Sequence, residues 1–308
     1  MHWHILGAGS LGCLWAARLA AQQHSVYLIM RTANALAHHQ AHPYVALSDP
    51  QFLHTQHYPV KAQLAEHPQP IKNLVLACKA YDAQAAIGQV AHRLSSDSLV
   101  ILLQNGLGSQ QAVQSMLPNT RCIAASSTEG AYLAAPLHTV FAGQGHIWLG
   151  DIVPSVTASA PAQLASLQAA GIPCSWATDI APVLWRKLAM NCAINPLTVI
   201  YNCLNGQLRH YPAQINTLCD ELQRLLCRAG QATAACNLHQ QVWDVIDNTA
   251  ANSSSMRQDT LQQRRTEISY ITGFACAQSL ALECETPTLH TIHRQLQKTL
   301  LEQGLPTT

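Results

Sequence analysis

A strand-like apolar run at the start of the chain leads directly into a glycine-rich turn. Residues 5–12 read Ile-Leu-Gly-Ala-Gly-Ser-Leu-Gly, and an apolar helical stretch follows. The G-x-G-x-x-G pattern alone is weak, but a preceding strand and a following helix are the context in which it binds dinucleotides. Gly7 permits the tight turn, Gly9 lets the backbone approach a pyrophosphate, and Gly12 lets the helix pack closely on the strand. The predicted phosphate-binding residues are Gly7, Ala8, Gly9, Ser10, Leu11 and Gly12.

The first half of the chain alternates short apolar runs with helical stretches, which predicts a parallel, doubly wound sheet of the Rossmann type. The predicted strands are residues 3–6, 25–30, 74–78, 99–103 and 121–126, and the predicted helices are 11–22, 83–94 and 109–116. Two later runs, 137–142 and 146–150, flank Gly143-Gln144-Gly145. They predict an antiparallel hairpin that closes the sheet.

The hydrophobic pattern changes after about residue 179, where strand-like runs end and helical periodicity begins. The predicted helices are 182–195, 212–230, 237–251, 257–281 and 286–302. The fold class is therefore α/β, with an N-terminal Rossmann-type sheet and a C-terminal all-α domain. We expect a nucleotide-binding domain over residues 1–179 and a substrate and catalytic domain over 180–308.

Composition and charge exclude some classes of binding partner. The formal net charge of +1 and the lack of a basic stripe argue against nucleic acid. No run approaches the roughly 18 apolar residues of a membrane span, and the N-terminus lacks signal-peptide features. The 11 cysteines are scattered, without a Cys-x-x-Cys pair, which favours free thiols in a reducing cytoplasm.

Histidines cluster between positions 38 and 57. His38 and His42 are spaced to share a helix face and bind a metal, but a third ligand is not evident nearby. We therefore expect no metal site, and a solvated, variable stretch in this region.

Arg31 follows the second predicted strand, at the position where an NAD enzyme usually carries Asp or Glu for the ribose 2′-hydroxyl. Arginine instead suits a 2′-phosphate, through a charge-assisted and bidentate contact. A surface arginine without a role is the alternative. The residue favours NADP over NAD.

Polar residues also follow two later strands of the predicted sheet. Lys79 comes after residues 74–78, and Asn105 comes after 99–103. Ligands of open α/β sheets bind outside the carboxyl ends of the strands, so both residues are candidates for the nicotinamide half and the substrate. An ordinary loop lysine and an Asn-Gly turn are the alternatives.

A polar stripe marks the first helix of the second half. Lys187, Asn191 and Asn195 recur every four residues, within an arc of about 80° on an otherwise apolar helix. A helix that is apolar nearly all round is buried, so its polar groups need partners. Asparagine is a mediocre helix former, and two of them aligned with a lysine indicate a donor array for a carboxylate or hydroxyl-rich ligand. A solvated stripe is the alternative.

Two further segments carry candidate residues. Asn252, Ser253, Ser254 and Ser255 precede a predicted helix, and they either cap it or donate hydrogen bonds to a substrate. Glu267 is placed on that helix by the periodicity, and a surface salt bridge is an alternative role for it.

These segments together resemble the ketopantoate reductase family over nearly the whole chain. The motifs follow the family's order after the glycine fingerprint, and residues 34–60 depart from the family's features. The motifs are residues 78–81, 104–106, 185–192, 194–198, 202–208, 254–259 and 266–273.

The resemblance implies NADPH binding in a cleft between a Rossmann domain and a helical domain. It implies that Lys187 donates the proton to the reduced carbonyl. The substrate-binding positions that it implies are Asn191, Asn195, Asn205, Asn252, Ser253, Ser254 and Ser255. The positions that it implies for the cofactor or for ordering the ternary site are Arg31, Lys79, Asn105, Ala131 and Glu267.

The reaction that the resemblance implies is reduction of 2-dehydropantoate to (R)-pantoate in pantothenate biosynthesis. Alternatives are an NADPH-dependent reductase of another branched 2-oxo acid and a non-catalytic NADP-sensing protein. The sensor would need neither Lys187 nor its asparagines. We expect a cytoplasmic monomer or homodimer that binds neither nucleic acid nor membranes.

Overall fold

A computed structural model describes residues 1–50, 52, 54–153 and 159–308, and these residues form two compact units. The first, called the sheet unit, comprises Met1–Gln104 and Ser109–Ile180. The second, called the helical unit, comprises Asn105–Gly108 and Ala181–Thr308. The chain passes into the helical unit after Ile180, and the short segment Asn105–Gly108 groups with that unit although it follows a strand of the sheet.

The described part of the sheet unit contains strands and helices that alternate only in part, because β3 to β6 and β8 to β11 follow one another directly. The strands are β1 (His2–Leu6), β2 (Ser25–Met30), β3 (Tyr44–Ser48), β4 (Gln56–Pro59), β5 (Lys61–Leu64), β6 (Asn73–Leu76), β7 (Leu99–Leu102), β8 (Arg121–Ser127), β9 (Gly130–Ala135), β10 (His138–Gly143), β11 (Ile147–Asp151) and β12 (Cys174–Trp176). The helices are α1 (Ser10–Ala21), α2 (Ala33–Ala41), α3 (Ala83–Val90), α4 (Ser109–Met116) and α5 (Gln163–Ala169).

Among these residues the main sheet has eight strands in the order β12-β11-β8-β7-β6-β1-β2-β5. Every pair is parallel except β11 with β8. All residues of β6 and β7 are buried, which continuous apolar runs achieve when both faces of a parallel sheet are covered. Trp3 and Ile5 pack in one core with α1, and Leu6 packs with Ile87 in the core of the opposite face. The Rossmann-type prediction is confirmed.

The predicted hairpin of residues 137–150 is wrong. β10 pairs antiparallel with β9, whereas β11 pairs antiparallel with β8 at the main sheet. The segment between β10 and β11 is bonded to the residue that follows β8, because the Thr128 amide donates to the His146 carbonyl at 2.9 Å. A side chain at Gly145 would overlap the backbone of Thr128. This close approach sends β11 to the main sheet.

The histidine-rich segment forms regular elements that the sequence reading did not list. It contributes α2, β3 and β4, and the latter two join β10 and β9 in a sheet of order β4-β3-β10-β9 among the described residues. His39 is buried, and its Nε2 lies 3.0 Å from the Val60 carbonyl oxygen. Of the clustered histidines, His38, His42, His54 and His57 are exposed, as expected for a solvated stretch, and the buried His39 is the exception. Residues 51 and 53 lie outside the described residues. The described residues include no group of three or more His, Cys, Asp or Glu arranged to hold a metal.

The helical unit is built around a central helix that contains a proline. Its helices are α6 (Ala181–Ile200), α7 (Pro212–Arg228), α8 (Ala232–Ala235), α9 (Leu238–Asn248), α10 (Ser255–Leu261), α11 (Thr272–Ala281) and α12 (Pro287–Glu302). Two 3-10 turns, Asn205–His210 and Ile268–Tyr270, interrupt the series. α6 packs against α7, α10 and α12, which explains why most of its circumference is buried. Across the described residues, every helix is too short or too polar to span a bilayer.

The single helix predicted over residues 257–281 is wrong. α10 ends at Leu261, and the chain turns where Gln263 adopts φ +52°. The Arg264 amide then donates to the Asp259 carbonyl at 2.8 Å, which closes the helix end. Hydrophobic periodicity does not register this stop, because the left-handed residue is a glutamine rather than glycine. Glu267 therefore lies in the connection between α10 and α11, not on a helix.

Candidate active site

Two glycines of the fingerprint are required by the packing of the chain itself. Gly7 adopts φ +111°, and a side chain there would overlap the backbone of Cys78 at the end of the neighbouring strand. A side chain at Gly12 would overlap the carbonyl oxygen of Gly7. The turn and the approach of α1 to β1 therefore both exclude larger residues.

Gly9 is different, because no contact among the described residues requires a glycine there. Its φ of −80° suits any residue, and a Cβ there would lie 3.9 Å from its nearest neighbour, the Ala77 carbonyl oxygen. Gly9 precedes the first turn of α1, whose amides face outward from the helix end. The space over Gly9 fits a pyrophosphate at the helix N-terminus, where the amides and the dipole favour an anion.

A cavity of about 790 Å³ opens beside this loop within the sheet unit. Gly7 and Ala8 line it together with Arg31, Asp82 and an apolar wall. That volume lies within the usual range of sites for small molecules and cofactors. Arg31 Nη2 lies 3.0 Å from Asp82 Oδ2, and both side chains are partly exposed. The predicted phosphate loop and the predicted 2′-phosphate contact thus share one cavity.

Two other predicted cofactor residues lie elsewhere in the sheet unit. Lys79 begins the 3-10 turn Ala80–Asp82 that follows β6, and Ala131 lies on β9. Among the described residues, neither belongs to the lining of the cavity that Arg31 shares.

The polar stripe predicted for α6 is present in the helical unit. Asn195 is buried, and Lys187 and Asn191 are partly buried, among apolar residues of the same helix. Burial lowers the pKa of Lys187 to about 8, although the Glu267 carboxylate acts in the opposite direction. A lysine in this state is a cation that releases its proton more readily than an exposed one.

Glu267 and Asn105 meet in the helical unit. Glu267 is buried, and Asn105 Nδ2 donates to Glu267 Oε2 at 3.3 Å. Gly106, the next residue, allows the chain to pass close to Tyr270. It adopts φ +75°, and a side chain there would overlap the Tyr270 carbonyl. The Leu107 amide donates to the same carbonyl at 2.8 Å. The loop that follows β7 is thereby fixed to the turn that carries Glu267.

Asn205 presents an oriented acceptor. Its Nδ2 donates to Thr249 Oγ1 at 2.8 Å, and the Thr249 hydroxyl donates to the Val245 carbonyl at 2.6 Å. Since the hydroxyl proton is used, Thr249 must accept from Asn205, and this fixes which end of the amide is the oxygen. Asn205 Oδ1 is buried without a hydrogen-bond partner among the described residues. An orphaned buried acceptor is costly unless a ligand supplies the donor.

The serine segment caps the helix that follows it, which is one of the two roles that the sequence left open. Ser254 is the N-cap of α10, and its Oγ accepts from the Arg257 amide at 3.1 Å. The same Oγ lies 2.7 Å from Thr198 Oγ1, whose own proton goes to the Asn195 carbonyl. Ser254 must therefore donate to Thr198, which leaves no proton for a ligand.

The residues on either side of Ser254 make other hydrogen bonds or are exposed. Ser253 Oγ accepts from Arg257 Nη1 at 3.0 Å, and the Asn252 carbonyl accepts from the Asn205 amide at 3.0 Å. The Ser255 side chain is exposed. Sequence reasoning missed Thr198 and Thr249. Thr198 stands three residues after Asn195, a spacing that places both on the same helix face and was available as a signal.

The amino-acid sequence matches two family models that together cover most of the chain. Residues 3–154 match the model described as ketopantoate reductase PanE/ApbA, and residues 179–299 match that of its C-terminal part. The 2-dehydropantoate 2-reductase of Salmonella typhimurium is 32% identical over 291 residues, which cover 88% of this chain and 86% of that protein. The enzyme of the same name from Vibrio cholerae is 30% identical, with 97% of each chain covered.

Solved structures agree with this assignment. A PanE/ApbA family ketopantoate reductase from Ralstonia eutropha superposes with a TM-score of 0.88 at 25% identity, over 99% of this chain and 100% of that one. A ternary structure of D-mandelate dehydrogenase with NADH and anilino(oxo)acetate gives a TM-score of 0.90 over 99% of this chain and all of that one, and its 18% identity supports the fold alone. The two family models and the full-length relatives lead to one conclusion: the chain belongs to the ketopantoate reductase family, a family of oxidoreductases.

Proposed function

We propose that the protein is a 2-dehydropantoate 2-reductase that uses NADPH to form (R)-pantoate for pantothenate biosynthesis. The observation that carries this proposal is the polar stripe of α6, with Lys187 at a pKa of about 8 among buried groups. The names of the full-length relatives supply the substrate.

NADPH, when bound, supplies the hydride that adds to the C2 carbonyl. The residues proposed to hold it are the glycine loop and Arg31, with further contacts from Lys79, Asn105, Ala131 and Glu267. Gly9 supports this set, because the space above it suits a close approach of phosphates to the backbone. Arg31 supports the 2′-phosphate, because a guanidinium binds phosphate through two parallel hydrogen bonds.

Lys187 is the proposed general acid. Negative charge develops on the carbonyl oxygen as the carbonyl is reduced, and an ammonium directed at that oxygen stabilises it and then donates its proton. The lowered pKa of about 8 brings the proton donor close to the working pH. Glu267 keeps the lysine from losing its proton too easily, since its carboxylate raises the pKa that burial lowers.

The asparagines are proposed to orient the oxo acid. Asn191 and Asn195 offer amide donors beside Lys187, which suits the substrate carboxylate. Asn205 offers the acceptor Oδ1, which suits the substrate hydroxyl. Ser253 and Ser255 offer hydroxyl groups, whereas Ser254 holds α10 against α6 through Thr198. Asn252 supports Asn205 through its backbone carbonyl.

The test is oxidation of NADPH by the purified protein with 2-dehydropantoate and a panel of other branched 2-oxo acids. We expect the highest kcat/KM for 2-dehydropantoate, and (R)-pantoate as the product by chiral chromatography. A higher kcat/KM for another oxo acid would replace the substrate assignment. Binding of NADPH without turnover of any acid would contradict the enzymatic assignment.

A further inference from the structure

The cavity beside the glycine loop contains an opposed pair of charges at the position expected for the 2′-phosphate. Arg31 Nη2 and Asp82 Oδ2 are 3.0 Å apart, and both residues line the cavity with Gly7 and Ala8. The side chain of Arg31 is 76% exposed and that of Asp82 is 38% exposed. The pair is therefore accessible to a ligand that enters the cavity.

The Asp82 side chain does not cap the helix that it precedes. It occupies the N-cap position of α3, where an aspartate usually accepts a backbone hydrogen bond. Its side chain makes no such cap bond, because its φ and ψ of −95° and −11° continue the preceding 3-10 turn. The carboxylate accepts from Arg31 instead. Its orientation toward the cavity thus follows from the arginine and not from helix capping.

We propose that Asp82 is a specificity-determining residue that limits the preference of the site for NADPH over NADH. This inference rests on the proposed NADPH-dependent function. A 2′-phosphate meets a guanidinium that is already paired, and it also meets the negative charge of Asp82. An unphosphorylated ribose meets no such repulsion, and its 2′-hydroxyl can donate to the carboxylate as it does in NAD enzymes.

Because few charged residues line the cavity, a change in one of them should alter the preference for NADPH over NADH. Of the described residues that line the cavity, Arg31 carries the positive charge and Asp82 the negative charge, and His38 and Cys78 are the other titratable side chains. An exposed ion pair is weak, so the arginine can be drawn to a phosphate. Repulsion between one carboxylate and a phosphate at contact distance, in mostly solvated surroundings, corresponds to a change in affinity of about three- to tenfold.

The experiment compares two nucleotides that differ only in the 2′-phosphate: adenosine 2′,5′-bisphosphate and adenosine 5′-monophosphate. Their Kd values are measured by calorimetry at one pH and salt concentration on the full-length wild type and on Asp82→Asn. Asp97→Asn is the matched control, because it removes the same charge from an exposed turn of the sheet unit away from the cavity. NADPH and NADH are then titrated by fluorescence as a second measurement.

We expect Asp82→Asn to tighten the bisphosphate about three- to tenfold, leave the monophosphate unchanged or weaker, and raise the NADPH to NADH affinity ratio by the same factor. Asp97→Asn should change none of these values. An unchanged ratio in Asp82→Asn and in a second variant, Asp82→Ala, would overturn the proposal, as would equal effects of the Asp82 and Asp97 substitutions. Binding is measured without oxo acid. Failure to reduce 2-dehydropantoate would therefore overturn the proposed function and leave the result for Asp82 standing.

Discussion

The two units of the chain assemble their candidate sites from different parts of the polypeptide. In the sheet unit the site is mostly backbone, since the glycine loop requires small residues and its main side chain, Arg31, is exposed. In the helical unit the site consists of side chains, and Asn195, Asn205 and Glu267 are buried. A substitution should therefore act through steric access in the first unit and through lost hydrogen bonds and charges in the second.

The same contrast applies to electrostatics. The Arg31–Asp82 pair is partly exposed, where water and salt weaken an ion pair. Lys187 is partly buried, and burial lowers its pKa to about 8 against the opposing effect of Glu267. Charges in the sheet unit should tune affinity by small factors, whereas charges in the helical unit should control reaction rate.

The largest expected effect is loss of the proposed proton donor. Lys187→Ala should lower kcat by roughly 10²–10⁴-fold, the usual contribution of a positioned general acid. Lys187→Arg keeps the positive charge but should not restore the rate, because a guanidinium does not release its proton near neutral pH. Steady-state kinetics measure both variants, and Lys298→Ala on the exposed face of α12 is the control. A Lys187→Ala enzyme with more than about a tenth of wild-type kcat would exclude the role.

The second prediction separates ligand access from folding in the glycine loop. Gly9→Ala should leave the melting temperature nearly unchanged, because the added methyl group fits the space in the chain. It should weaken NADPH binding on the order of 10²-fold, because phosphates displaced by about an ångström lose their amide contacts. Gly12→Ala should instead lower the melting temperature, because its methyl group overlaps the Gly7 carbonyl. Equal NADPH affinity in Gly9→Ala and wild type would show that no phosphate approaches Gly9.

The third prediction concerns the buried acceptor. Asn205→Ala should raise KM for 2-dehydropantoate roughly 5- to 100-fold, which corresponds to about 1–3 kcal/mol for one buried hydrogen bond. Thr249→Val should produce part of this effect, because it removes the group that fixes the orientation of the amide. The Kd for NADPH should stay unchanged in both variants. Asn216→Ala, on the exposed side of α7, controls for loss of an asparagine from the helical unit. An unaltered KM in Asn205→Ala would place the substrate hydroxyl elsewhere.

The smallest effect is a shift in pH dependence. Reduction requires protonated Lys187, so its rate should fall as pH rises through about 8, while the reverse oxidation gains over the same interval. The Glu267 carboxylate raises this pKa, so Glu267→Gln should move the fall in rate to lower pH. Glu302→Gln, which removes an exposed carboxylate from α12, should leave the profile in place. A profile for Glu267→Gln that coincides with wild type, or moves to higher pH, would contradict the electrostatic link.

Local sequence patterns predicted the elements whose signal is contained in a few adjacent residues. The glycine fingerprint with its flanking strand and helix, the buried runs of β6 and β7, and the stripe on α6 are of this kind. Local sequence patterns gave wrong predictions where the structure depends on contacts with residues outside the pattern. β10 and β11 read as a hairpin but pair in different sheets, and the segment between residues 257 and 281 reads as one helix but turns at Gln263.

The sequence by itself determined the fold class, the family and the residue types at the candidate site, because strand–helix alternation and spaced motifs are local and periodic. Only the tertiary structure decided how these residues are used. It paired Asn105 with Glu267 across 162 positions, left Asn205 Oδ1 without a partner among the described residues, and turned Asp82 from its helix to Arg31. The physical reason is that a hydrogen bond or a pKa depends on which atoms approach within a few ångströms and how much water remains, and neither is encoded by spacing along the chain.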